Sequence, residues 1–215
     1  MRTPILGTLI MALCLALVAG CGRSRGEART PSPDRGTITV APFTQPTDGS
    51  QLILGAIPED QGRIAQDALP ALDRKLREIL MTKTKATCVF PQRLDLPEDN
   101  TRYHTSDQPG GLPLWLNYGR RMNARILLVP LVLNWHEREG SAAGVTRSAH
   151  VKLEFYMLDV PGGRVINRSV FEEKQVGLTE NLLGIGTFIK RRASWVTASE
   201  LADEGMKKAM QDFSL

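Results

Sequence analysis

Several stretches of this chain carry residue types that could do chemistry. His136-Glu137-Arg138-Glu139 has the opening of a helical zinc-protease signature, in which two histidines one turn apart hold the metal and a glutamate serves as base. The second histidine is missing, because position 140 is Gly140. The stretch therefore reads as the polar end of a strand. His104 and His150 are the remaining histidines, and no cysteine pair or carboxylate cluster stands at ligand spacing from any of them, so no metal centre is expected. Gly140-Ser141-Ala142-Ala143-Gly144 lacks the residue between Gly and Ser that a nucleophile elbow requires, and it falls in an expected hairpin. Glu172 and Glu173 are consecutive on an expected strand, where neighbouring side chains point to opposite faces and cannot share a substrate. Gly184-Ile185-Gly186 is followed by neither the third glycine of a dinucleotide fingerprint nor a phosphate-loop lysine. With no nucleophile, base or metal set in view, the sequence predicts a protein that is not an enzyme and takes no cofactor.

Cysteine offers a different chemistry. Arg2 and the initiator amine form a short positive region, Ile5 to Gly20 is free of charge, and small residues precede Cys21. This pattern predicts a secretory signal peptide over residues 1–20. Spanning a bilayer takes about 20 apolar residues, and this run is shorter and meets Gly22-Arg23-Ser24-Arg25 at once, which fits removal better than retention. Val18-Ala19-Gly20-Cys21 resembles the bacterial lipobox, with Val where Leu is commoner. The resemblance implies that Cys21 becomes the first residue, carries a diacylglyceryl thioether and is N-acylated with a fatty acid such as palmitate. Each buried methylene contributes about 0.8 kcal/mol, so two or more chains anchor a protein stably where one does so marginally. Gly22 replaces the aspartate that marks inner-membrane retention in such proteins, which implies the periplasmic face of the outer membrane. Cys14 would leave with the signal, so Cys88 stays as the single thiol and no intramolecular disulfide can form. Its setting in Ala86-Thr87-Cys88-Val89-Phe90 predicts a short core strand with a buried thiol.

The elements that must position these groups follow from periodicity. Residues 21–36 hold prolines, glycines, serines and arginines with no large apolar side chain, and they read as a flexible tether. Residues 37–215 are enough for one domain with a real core. Thr37 to Phe43 is a β-branched run closed by Pro42. Leu72, Leu76, Ile79 and Leu80 recur at helical spacing behind Pro70, which either kinks the helix or opens its main part, so the firm segment is expected after it. After the Cys88 strand and a long polar loop from Pro91 to Gly111, Pro113 opens a second helix with Trp115, Leu116, Tyr118 and Met122. Ile126 to Leu133 is continuously apolar, the signature of a strand buried on both faces. Asn134 to Arg147 extends it into a hairpin.

Val151, Leu153, Phe155 and Met157 alternate with His150, Lys152, Glu154 and Tyr156, which predicts a strand with one face in the core. Pro161-Gly162 supplies a turn with positive φ expected at Gly162, and Arg164 to Val176 returns as the partner strand. Thr197-Ala198-Ser199-Glu200 has capping-box spacing ahead of a helix with Leu201, Ala202, Met206, Met210 and Phe213 on its apolar face. The expected class is α/β (α+β): one domain, a mixed sheet in the order β-α-β-α-β-β-β-α, and helices packed on the sheet.

That order, together with Val40-Ala41-Pro42-Phe43, the Tyr118 to Ala124 helix end running into Arg125-Ile126-Leu127-Leu128-Val129-Pro130, and the hairpin from Leu158 to Val165, resembles a group of envelope lipoproteins. Their fold is shared by the curli secretion channel, the TolB amino-terminal domain and lipoprotein activators of penicillin-binding proteins. A further lipoprotein group is similar in the hairpin and in the tail Phe188 to Ala202. The resemblance implies an outer-membrane-anchored scaffold or accessory factor in envelope assembly, secretion or cell-wall synthesis. A pore is not expected, because Leu133 to Val151 is too short and polar for a pair of spanning strands of about 9–11 residues each besides the soluble sheet.

The implied partners are membrane lipid, through acylated Cys21, and an envelope protein or a second copy of the chain. The formal charge of +4 is dispersed along the sequence, which argues against nucleic acid. Leu183, Phe188, Lys190, Arg191, Arg192 and Trp195 lie on a segment of apolar residues followed by three cations and a Trp. It suits either contact with a membrane or subunit, or a helix packed on the sheet with its cations solvated. A second functional reading is a periplasmic receptor for a small ligand, with the loops Gln45 to Gly62 and Pro91 to Gly111 as the rim of a pocket.

Overall fold

The computed structural model describes residues 36–91, 110–140, 145–175 and 195–215. The expected signal peptide, Cys21 and nearly all of the tether lie outside these residues, as do Leu183, Phe188, Lys190, Arg191 and Arg192. The described elements are β1 (Ile38–Val40), α1 (Leu69–Lys83), β2 (Cys88–Val89), α2 (Gly111–Arg121), β3 (Ile126–His136), β4 (Glu139–Gly140), β5 (Val145–Arg147), β6 (His150–Asp159), β7 (Arg164–Lys174) and α3 (Ala198–Asp212). Five strands form one sheet in the order β2-β1-β3-β6-β7. β1 runs parallel to β2 and β3, whereas β6 is antiparallel to both of its neighbours, β3 and β7. The α/β class and the element order are as expected, with the small antiparallel pair β4–β5 added between β3 and β6.

The apolar patterns divide the core into two layers. On one face, Leu72, Leu76, Ile79 and Leu80 of α1 and Leu201, Met206 and Met210 of α3 meet Val151, Leu153, Phe155 and Met157 of β6. On the other, Trp115, Leu116 and Tyr118 of α2, with Leu52 and Ile53, cover Leu127, Val129, Leu131 and Leu133 of β3. β3 is therefore buried on both faces, as its unbroken apolar run requires. Pro130 is tolerated in this interior strand because its absent N–H faces β1, which ends at Val40. The amides on that side resume when Val132 donates to the Thr44 carbonyl.

Pro70 sits in the first turn of α1, where a missing amide hydrogen costs nothing. α2 begins at Gly111, two residues before Pro113, and α3 opens with the complete Thr197/Glu200 capping box.

Three expectations need correction. β6 is not half-solvated: Glu154 and Tyr156 on its supposedly outer face are 2% and 0% exposed. It lies inside the sheet, and the segment around Leu52–Leu54 folds over that face, so only His150, Lys152 and Asp159 of this strand are partly exposed. Cys88 is not in a core strand either. β2 is the outermost strand, Cys88 is half-buried and Val89 is 47% exposed. Finally, the left-handed residue of the β6–β7 turn is Gly163 (φ 66°), not Gly162, whose amide is instead engaged by the Asp159 carboxylate.

Candidate functional site

One group of converging polar side chains sits at one end of the sheet. The β3–β6 register places His136 directly opposite His150, and their rings stack with centroids 6.0 Å apart and planes inclined by 19°. The loop before α1 closes over them. Gln61 Nε2 donates to the carbonyls of Pro46 (2.9 Å) and Leu133 (3.0 Å), and the Gly62 amide donates to Asn134 Oδ1 at 2.7 Å. The approach demands glycine: a Cβ on Gly62 would lie 2.2 Å from the Trp135 carbonyl oxygen and 2.7 Å from the His136 ring. It also carries Asp60 across the pair, with its carbonyl oxygen 2.9 Å from His136 Nε2 and a carboxylate oxygen 4.0 Å from His150 Nδ1.

The neighbours assign both imidazole tautomers. The Asp60 carbonyl can only accept, so in the neutral ring His136 Nε2 bears the hydrogen and Nδ1 keeps its lone pair. The Gly62 amide can only donate, which turns Asn134 Oδ1 toward it and leaves Asn134 Nδ2 to donate to His150 Nδ1 at 3.2 Å. His150 Nε2 is then the protonated nitrogen, 3.3 Å from Glu172 Oε1. Lys152 Nζ, 2.9 Å from the other Glu172 oxygen, holds that carboxyl below its ordinary range. Each ring thus has an acceptor on Nε2 and an unprotonated Nδ1. One ligand-type atom from each of Asp60, His136 and His150 lies within 4.8 Å of the others.

A second polar group is internal to the fold. The Glu154 carboxylate, 3% exposed, accepts from Arg168 Nη2 at 2.7 Å and from the Tyr156 hydroxyl. Burial first, and the adjacent carboxylate second, push the Tyr156 phenol well above its ordinary value, so it stays a neutral donor. The Arg168 guanidinium also lies 5.7 Å from the Tyr156 ring centroid. The three side chains satisfy one another, as a buried carboxylate requires.

Glu137, the glutamate of the incomplete protease motif, is occupied as well. Its carboxylate accepts from Trp135 Nε1 (3.0 Å) and from the Ala198 amide at the start of α3 (3.3 Å), where a negative charge complements the helix dipole. Burial pushes the Cys88 thiol up, which keeps it out of the thiolate form that reacts.

Of the residues expected to form a membrane or subunit contact, Trp195 alone is described. It is partly buried, its carbonyl accepts from Arg138 Nη1 at 2.5 Å, and the next amide, of Val196, donates to Gln175 Oε1 at 2.8 Å. Gln175 and Trp195 therefore both lie near the His136 end of the sheet. Thr37 leads into β1 at the opposite end, roughly 30 Å away along β3 at a strand rise of about 3.3 Å per residue. The loop Gln45 to Gly62 is held down by Leu52 and Ile53, which are 0% and 3% exposed, and by Gln45, which bonds Gly62 and Ile64.

Sequence spacing carried no sign of the Asp60–His136–His150 group, whose first two members are 76 residues apart. Among the described residues, no helix is long and apolar enough to cross a membrane.

No protein-family model and no curated protein matches this chain. Solved structures do show likeness. The PelC dodecamer from Paraburkholderia phytofirmans is similar at a TM-score of 0.47 and 16% identity, over 85% of this chain and 91% of that one. The hypothetical protein CT253 from Chlamydia trachomatis is similar at a TM-score of 0.43 and 11% identity, over 83% and 98% of the two chains. Lipoprotein GNA1162 from Neisseria meningitidis is similar at a TM-score of 0.36 and 9% identity, over 74% and 98%. These likenesses are too distant to bear on what this chain binds or does.

Proposed function

We propose that the chain is a lipid-anchored lipoprotein of the bacterial envelope, tethered through acylated Cys21 to the periplasmic face of the outer membrane. There it acts as a non-catalytic scaffold or accessory factor in envelope assembly, secretion or cell-wall synthesis. The observation that carries this reading is Val18-Ala19-Gly20-Cys21 at the end of an uncharged apolar run, followed by residues that cannot form a core of their own. The polar clusters support it: Glu137, Glu154 and Tyr156 are tied to partners within the domain, which leaves none of them as a free acid, base or nucleophile. Its partner is an envelope protein or a second copy of the chain, not nucleic acid.

Membrane fractionation and crosslinking in intact cells test the proposal, with the wild-type chain compared with Cys21→Ser. The wild-type chain is expected in the outer-membrane fraction with a crosslinked species above the monomer, and Cys21→Ser is expected to leave that fraction. Identical fractionation of both, or monomer alone in intact cells, would count against it.

A further inference from the structure

We propose that Asp60, His136 and His150 form a binding site for a zinc ion that clasps the loop before α1 to the end of the β3–β6 pair. Two imidazoles and one carboxylate are a nitrogen-and-oxygen ligand set that suits zinc, whereas calcium and magnesium take oxygen ligands throughout.

The geometry is close to what an ion needs. Ligands at about 2.0–2.2 Å from one zinc stand roughly 3.4 Å apart in a tetrahedron. One ligand-type atom from each of the three residues lies within 4.8 Å of the others, and His150 Nδ1 is 4.0 Å from an Asp60 oxygen. The two histidines are held by adjacent strands, while the Asp60 side chain is 71% exposed and free to turn inward. Turning of the two imidazoles about their side-chain bonds, with Asp60 swinging inward, closes the three ligand atoms around an ion.

The surrounding hydrogen bonds have the form that zinc ligands require. A metal-binding histidine donates its other ring N–H to a carbonyl or carboxylate, which fixes its tautomer and strengthens it as a ligand. His136 Nε2 meets the Asp60 carbonyl at 2.9 Å, and His150 Nε2 meets Glu172 at 3.3 Å. In its neutral form each ring therefore carries the lone pair on Nδ1. His150 Nδ1 faces a second acceptor, the Asp60 carboxylate, with no hydrogen of its own to offer. On binding, the ion replaces the 3.2 Å contact from Asn134 Nδ2. Three protein ligands leave a fourth position for water.

The test uses the full chain, purified in detergent without a histidine tag and freed of metal by a chelator. Zinc is titrated by calorimetry, and cobalt(II) in parallel is followed by visible absorption, which reports tetrahedral coordination. One ion per chain and a tetrahedral cobalt spectrum are expected. Asp60→Asn should weaken zinc binding at least tenfold, and His150→Ala should abolish it. Glu172→Gln, behind His150, should cost about ten- to a hundredfold. Asp60 is on an exposed loop, so Asp60→Asn keeps the fold, as circular dichroism would verify, and decides the matter even if the histidine variant unfolds. No zinc binding by the wild-type chain, or equal affinity in wild type and Asp60→Asn, would overturn the proposal.

Discussion

His136 and His150 face each other across the β3–β6 pair with their rings stacked at 6.0 Å, and the backbone of Gly62 lies against the His136 ring. The packing leaves no room for a side chain at Gly62, because the nearest obstacle is the Trp135 carbonyl, part of the backbone and unable to rotate away.

Gly62→Ala is therefore expected to destabilise the domain by about 1–3 kcal/mol, the usual cost of overpacking a close contact. Urea denaturation checks it. A midpoint equal to wild type would mean that the loop lifts off the sheet without cost.

Arg168→Ala leaves the Glu154 carboxylate buried without its cation and should cost roughly 1–3 kcal/mol. Glu154→Gln removes the charge itself and should cost less. In the double variant the two losses should not add, because each single change disturbs the same pair. Denaturant midpoints of the four proteins measure the coupling, and strict additivity would contradict the ion-pair reading.

Two aspartates predict opposite responses to pH. Burial pushes Asp212 up, but hydrogen bonds from Lys208 and Ser169 prevail and hold it below its ordinary value. Its stabilisation is therefore complete above the unfolded value, near pH 4, and is lost as pH falls through the depressed folded value. Burial prevails at Asp73 and raises it, despite the Phe43 amide and the charges of Arg77 and Arg74. Its contribution is present below about pH 4 and is lost as pH rises through the raised folded value. Asp212→Asn should flatten the acid limb of a stability–pH curve. Asp73→Asn, which keeps an acceptor for the Phe43 amide, should remove a loss of stability on going from pH 4 to pH 7. Equal curves for all three proteins would refute both assignments.

Much of the fold was legible because local chemistry and global packing agree. The capping box at Thr197, Pro70 in a first helical turn and the unbroken apolar run from Ile126 to Leu133 each appear where expected. Glu154 and Tyr156 were not legible as buried, because alternation along β6 reports which residues share a face and not whether a distant loop covers it. The exposure of Cys88 depends on β2 being the outermost strand, a fact of strand order with no local trace. Asp60, His136 and His150 come together through a parallel crossover and a strand register, so no spacing in the sequence could announce them. His136 and Glu137 open a protease-like motif, but His136 ends a strand and Glu137 follows it outside any helix, and each has a different partner.

The central claim is that Cys21 begins the mature protein and carries lipid. Mass spectrometry of the amino-terminal peptide from protein purified out of bacterial membranes tests it most directly. A peptide beginning at Cys21 with a diacylglyceryl thioether and an acylated amine is expected, and none containing residues 1–20. An intact Met1, or an unmodified Cys21 thiol, would contradict it.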